Sequence, residues 1–253
     1  MSDTSAPSAG SEPTGERKLL APIWHTVGLV VLIFGTSAAS YLTSQHFVVA
    51  SPQAAAPNRT AMLATYAGTL VLEWGLFLYV YLGEKFSRGT RIAERIGGRW
   101  ASARDVWRDI GIAFALWGAL AAVGAILGFL LHPQGGAVVT KLLPHDGVEM
   151  IGWVLISVSA GFCEEYVFRG YLQEQMRLLT GNVWIAVALQ AIVFGFGHGY
   201  QGGALMAIIV VYGLLIGATA AWRRSLRPVM MAHGFTDFFS GMGFYIAHAL
   251  HRM

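Results

Sequence analysis

The chain has 253 residues, 55% of them hydrophobic and 12% charged, with a formal net charge of +3. Soluble domains carry about a quarter charged residues, so an ordinary water-soluble globule is excluded. The positive excess is no nucleic-acid footprint either, because seven of the seventeen Lys and Arg fall in one short loop, where membrane topology would put them. A single cysteine, Cys163, rules out an internal disulfide.

Apolar blocks long enough to cross a bilayer, which takes about 20 residues as a helix, recur along the chain. No stretch alternates as a transmembrane barrel strand would. The expected fold is all-α, a polytopic transmembrane helical bundle of about seven spans, six to eight. Residues 1–19 are rich in Ser, Pro, Gly and acids and read as a disordered polar tail. The apolar run from Pro22 to Leu42 follows a long acidic lead, which favours a retained first span over a cleaved signal peptide. Further spans are expected at 61–82, 110–131, 148–175, 183–198, 203–222 and 228–250.

Lys and Arg alternate with these spans. Arg17 and Lys18 precede the first, seven lie at 83–109, Arg177 follows the fourth, and Arg223, Arg224 and Arg227 follow the sixth, against Arg59, Lys141 and Arg252 in the alternate positions. The positive-inside rule then predicts a cytoplasmic N-terminus and an outer C-terminus. Three regions follow: the tail at 1–19, three N-terminal spans at 20–147 with a basic cytoplasmic loop at 83–109, and a motif-bearing core at 148–253. In that loop Phe86, Ile92, Ile96 and Trp100 recur between arginines at near-helical spacing. Either a basic amphipathic helix lies on anionic headgroups, or the loop is a solvated connector. Gly213 and Gly217 have the spacing of close-packed membrane helices. Asn58 opens an "NRT" sequon that would matter only in a eukaryotic secretory membrane.

Ionisable side chains inside spans are costly and usually mark a pathway or site. Here they are Glu73, Glu164, Glu165, Arg169, His198, His233 and Asp237. Glu165 and Arg169 stand four apart with the acid first, the favourable orientation for a helical ion pair. Glu164 is turned about 100° away and keeps no such partner. His233 and Asp237 share one face, and Phe194 sits one turn before His198 as a wall for its ring. Each pair alone is ordinary. Together they supply what hydrolysis needs: a base, metal-ligating or water-positioning groups, and donors for an oxyanion. Glu73 either touches substrate or hydrogen-bonds a neighbour. Gly195, Gly197 and Gly199 around His198 leave room for a peptide backbone or for tight helix packing.

The three motifs, "EEYVFR" at Glu164–Arg169, "FGFGH" at Phe194–His198 and "HGFTD" at His233–Asp237, resemble those of the CAAX prenyl endopeptidase and bacteriocin-processing family of intramembrane proteases. The resemblance covers about residues 148–240. It implies a membrane-embedded endopeptidase acting on a peptide or membrane-protein substrate, a metalloendopeptidase in class and sited in a bacterial cytoplasmic membrane. By that resemblance Glu164 and His198 activate water, His233 and Asp237 bind metal or polarise the scissile carbonyl, and Glu165 with Arg169 supports them. Asp237 stands where the eukaryotic prenyl proteases carry Asn. An ionised Asp cannot donate to an oxyanion, which favours a metal ligand or a carboxylate orienting His233. Zinc or another divalent ion on Glu164, His198, His233 and Asp237 would suit the donor set, and a metal-free mechanism with Glu164 as the base stays open. Two other classes compete: a non-enzymatic immunity or scaffold protein keeping the family fold, and a proton-coupled transporter, which would show repeated halves. The sequence names no substrate, cleavage site or oligomeric state.

Overall fold

The computed structural model describes residues 18–50, 59–133 and 139–250, with the side chains of 43–50 left aside. Residues 1–17 of the expected tail, Asn58 and Arg252 lie outside the described residues. The described part is all-helical, with no strand. Its elements are α1 (Ile23–Ala50), α2 (Arg59–Arg88), α3 (Ile92–Arg95), α4 (Ala103–Leu131), α5 (Gly147–Glu165), a π-helical segment (Tyr166–Leu172), α6 (Gln173–Thr180), α7 (Val183–Gly197), a 3₁₀ turn (Gly199–Gln201), α8 (Gly203–Arg223) and α9 (Arg227–Leu250).

Every expected span is occupied by helix. Among the described residues five segments are long and apolar enough to cross a membrane: Ile23–Leu42, Arg59–Arg88, Ala103–Leu131, the continuous Gly147–Thr180 and Gly203–Arg223. α7, at 15 residues, is shorter. α9 carries His233 and Asp237 along its length. The surface is inverted relative to a soluble protein, with Val71, Phe129, Ile151 and Val158 each about two-thirds or more exposed, as lipid-facing side chains are.

Local chemistry sets the helix starts on the motif-bearing side. Asp146 caps α5, its Oδ1 accepting from the Val148 and Glu149 backbone N–H groups at 2.9 Å each. These bonds, the Glu149 one foremost, and the Arg59 guanidinium hold the Asp146 carboxyl below its ordinary range. Gly181, at φ 73°, ends α6, and Asn182 caps α7 through Trp184 N and Ile185 N. Two buried clusters result. One joins α1, α2, the π-helical segment and α7 around Tyr166, Tyr171 and Phe194. The other joins α4, α8 and α9 around Leu120, Ile216 and Val229. The motif residues lie along the seam between them.

The basic loop is not one continuous amphipathic helix. Between the end of α2 and the start of α4 only Ile92–Arg95 is helical, and Gly97 (φ 108°) and Gly98 (φ 72°) break any continuation. Polar contacts nevertheless tie the segment to the end of the bundle. Arg95 Nη2 sits 2.6 Å from the buried Glu84 Oε1, whose other oxygen accepts from Tyr166 Oη at 2.9 Å. Asp109 accepts from Trp100 Nε1 (2.9 Å) and Arg223 Nη2 (2.6 Å). Arg227 donates to Gly97 O at 2.7 Å and lies over the Trp100 ring. Ile92 and Ile96 pack against the core, while Phe86 is left exposed.

Candidate active site

Gly161 and Gly234 create the site by letting α5 and α9 touch. A Cβ on Gly161 would stand 2.6 Å from Met230 O and 3.0 Å from Gly234 N, and one on Gly234 3.2 Å from Ser157 O. Small residues at such a crossing allow backbones to meet, as membrane helices require where no hydrophobic drive separates helix from lipid. Glu165, one turn beyond Gly161, thereby faces His233, the neighbour of Gly234.

His233 Nδ1 lies 2.7 Å from Glu165 Oε1, and Arg169 Nη1 lies 2.8 Å from the same oxygen. A carboxylate accepts, so Nδ1 donates and Nε2 is turned to the cavity. There it stands 3.6 Å from Asp237 Oδ2 and 3.9 Å from Glu164 Oε2, too far for a direct hydrogen bond. The carboxylate that orients His233 is therefore Glu165. Asp237, offered that role as one alternative from the sequence, faces the opposite nitrogen.

Glu165 and Arg169 side chains are 0% exposed, against 22% for Glu164 and 31% for Asp237. The first two are sealed in the interior, and the last two reach the cavity. Glu164 Oε2 is buried without a hydrogen-bond partner among the described residues. Glu73, on α2, shares both features: it is 6% exposed, its Oε2 is unpartnered, and it lines the same space as Glu164.

His198 follows the end of α7. Its Nδ1 is 2.9 Å from Phe194 O, and because a carbonyl only accepts, Nδ1 carries the proton and Nε2 presents a lone pair. The Phe194 ring stands edge-on to His198 at 4.9 Å and to His233 at 6.1 Å, with the Arg169 guanidinium 4.3 Å over its face. One aromatic ring thus separates the two imidazoles while holding the buried cation. Sequence reasoning placed Phe194 only beside His198.

The structure brings Glu164, Glu165, Arg169, His233 and Asp237 into one cluster, with His198 on the cavity wall beyond Phe194. Two adjoining cavities of about 570 and 660 Å3 both touch Glu73, Glu164 and His198, and the larger also reaches His233 and Asp237. Gly195 is filled by Val210 of α8, and Gly197 and Gly199 face Ile33 and Ser37 of α1. Gly195 is taken up by helix packing, while Gly197 also lines the smaller cavity beside His198. Gly213 and Gly217 likewise admit Ala191 and the Gln190 and Gln173 amides.

Two further features had no signal in the sequence. The helix carrying Glu164 and Glu165 widens immediately after them into a fully buried π-helical segment, a distortion common at functional sites. Within it Tyr166 turns to Glu84 and Tyr171 to Thr26, while Arg169 turns to Glu165. Two buried acids, Glu84 and Asp109, also escaped notice because they sit at the span ends, where loop arginines reach them.

The donor set has the chemistry of a zinc site, since each imidazole has its second nitrogen fixed by a carbonyl or carboxylate. The arrangement does not fit one as it stands. Among the described residues no group of three or more His, Cys, Asp or Glu converges closely enough to hold a metal ion.

Comparison with protein families matches residues 146–239 to the model described as Type II CAAX prenyl endopeptidase Rce1-like. Comparison with curated proteins and with solved structures gave no match.

Proposed function

We propose that this chain, an integral membrane protein whose residues 146–239 belong to the Type II CAAX prenyl endopeptidase Rce1-like family, is an intramembrane endopeptidase. The observation that carries the reading is the unpartnered Glu164 carboxylate, facing a cavity beside an imidazole that Glu165 holds in one orientation. A carboxylate inside a span with an oxygen left without a hydrogen bond is costly, and a scaffold or immunity protein would gain nothing by keeping it. A transporter relay would be expected to continue through the bundle, whereas these groups converge on one pocket.

In this reading Glu164 takes a proton from a water in the cavity as the water oxygen attacks the scissile carbonyl. His233, with Nδ1–H on Glu165, directs Nε2 at the developing oxyanion and donates to it when protonated. The C–N bond then breaks as the proton held by Glu164 passes to the leaving amine, and His198 Nε2 positions the water. Asp237, 3.6 Å from His233 Nε2 and outside hydrogen-bond reach, adds a second carboxylate to the cavity wall. Metal assistance on Glu164, His198, His233 and Asp237 is the second reading. Only the donor chemistry favours it, and it requires these side chains to move together.

The test is a peptide-library cleavage assay on protein purified in detergent or reconstituted in vesicles, with metal content measured on the same samples. Wild type should cleave, and Glu164→Gln and His198→Ala should not, with unfolding temperatures unchanged. Cleavage by Glu164→Gln at the wild-type rate would remove the mechanism. Stoichiometric metal that disappears in His198→Ala would replace it with the metal-assisted form.

A further inference from the structure

The two ends of the bundle are built differently. One end holds twelve of the fifteen described Lys and Arg residues: Lys18, Lys85, Arg177, the arginines at positions 88–108 and those at 223–227. It also carries four exposed tryptophans, Trp24, Trp107, Trp184 and Trp222, each 63–71% exposed, at the start of α1, α4 and α7 and the end of α8. Indole rings collect at the membrane–water boundary and Lys and Arg on its cytoplasmic side, so this end marks the inner interface.

The same end is closed. Glu84 with Arg95, Asp109 with Arg223, and Arg227 with Gly97 O join the loop to α2, α4, α8 and α9. Gln175 adds Leu20 N and Ala21 O, and Arg88 adds Leu19 O. α1 and α2 are also pinned here, with His25 stacked on Tyr79 at 4.2 Å and Tyr79 Oη donating to His25 O at 3.0 Å.

Toward the other end these two helices part. α1 leans on α7 through Ser37 Oγ to Phe196 O (3.0 Å) and Phe34 against Phe196. α2 leans on α5 through Tyr66, which packs on Trp153 and donates to Leu142 O at 2.8 Å. Between them runs a cleft lined by Thr36, Ser40, Thr65, Thr69, Leu142 and Tyr200, with Glu73, Glu164 and His198 at its floor. The threonine hydroxyls return their protons to carbonyls of their own helices. Their oxygens keep acceptor capacity for backbone N–H groups of a guest chain.

From this we infer that the substrate reaches Glu164 from the outer side of the membrane, through the cleft between α1 and α2, as an extended peptide segment presented at the outer leaflet by an exported or membrane-anchored polypeptide. The inference rests on the proposed protease function for the nature of the guest and on the geometry for its side of entry. A cytosolic peptide would meet the latched basic end instead.

Single cysteines test it in the full chain expressed in intact cells. Cys163 is buried and serves as the unlabelled background. Ser40→Cys and Thr65→Cys sit at the exposed mouth and Arg99→Cys on the basic loop. A membrane-impermeant maleimide should label the first two in intact cells and Arg99→Cys only after permeabilisation. The reverse pattern, or labelling of all three in intact cells, would overturn the outer-face entry. Mouth cysteines that stay unlabelled in both conditions would overturn the route between α1 and α2. Labelling does not depend on activity, so the expected pattern in a protein that cleaves no peptide would defeat the protease reading alone.

Discussion

His233 on α9 and Glu165 on α5 are joined by a 2.7 Å hydrogen bond across a helix crossing, and the same carboxylate oxygen takes Arg169 at 2.8 Å. One acid therefore neutralises a buried cation and fixes the ring that faces the cavity. Glu165→Gln should remove both services. Breaking a buried pair leaves the remaining charge uncompensated, at a cost of about 3–5 kcal/mol, so thermal unfolding in detergent should shift down clearly. Loss of the orienting carboxylate should lower turnover on the order of 10² to 10⁴-fold in vesicles. Glu165→Gln combined with Arg169→Met should recover stability but not turnover, which separates the two roles.

The crossing itself is a second target. Gly161→Ala places a methyl against the Met230 carbonyl and the Gly234 backbone, contacts that no side chain can yield. Overpacking of this kind costs about 1–3 kcal/mol, and it should also separate Glu165 from His233. Turnover should fall more than substrate affinity, so kcat should carry most of the loss in a steady-state assay. Gly203→Ala, where an added Cβ meets nothing within 4 Å, is the control and should behave as wild type.

The latch at the basic end predicts a different signature. Glu84→Ala strands Arg95 and frees the Tyr166 hydroxyl, so stability should drop by about 3 kcal/mol or more. In folded protein the site geometry is set elsewhere, and kcat should stay near wild type at temperatures below the transition. A protease-protection assay should show the segment around Arg95 cut sooner than in wild type.

Much of this was legible in the sequence because the membrane makes polar residues conspicuous. Apolar block lengths placed the seven helices, and the rarity of Glu, His and Asp within them singled out Glu164, Glu165, Arg169, His198, His233 and Asp237. What was hidden depended on three-dimensional partners. Spacing showed Glu165 beside Arg169 on one helix but could not show His233 arriving from α9. Glu84 and Asp109 sit at the ends of apolar runs, where an acid reads as a surface residue until an arginine from a distant loop covers it. Phe86, Ile92, Ile96 and Trp100 mimicked an amphipathic helix because spacing ignores the two positive-φ glycines, Gly97 and Gly98, that bend the chain under the bundle. The π-helical segment left no compositional trace, since it arises from packing.

Glu164 is the group proposed to deprotonate water. The most direct measurement compares wild type and Glu164→Gln, reconstituted side by side, for peptide cleavage by mass spectrometry and for thermal unfolding. Replacing a carboxylate whose Oε2 makes no hydrogen bond among the described residues with its neutral isostere should leave the unfolding temperature unchanged or raise it. Cleavage should disappear. A folded Glu164→Gln protein that cuts the same bond at the wild-type rate would contradict the account.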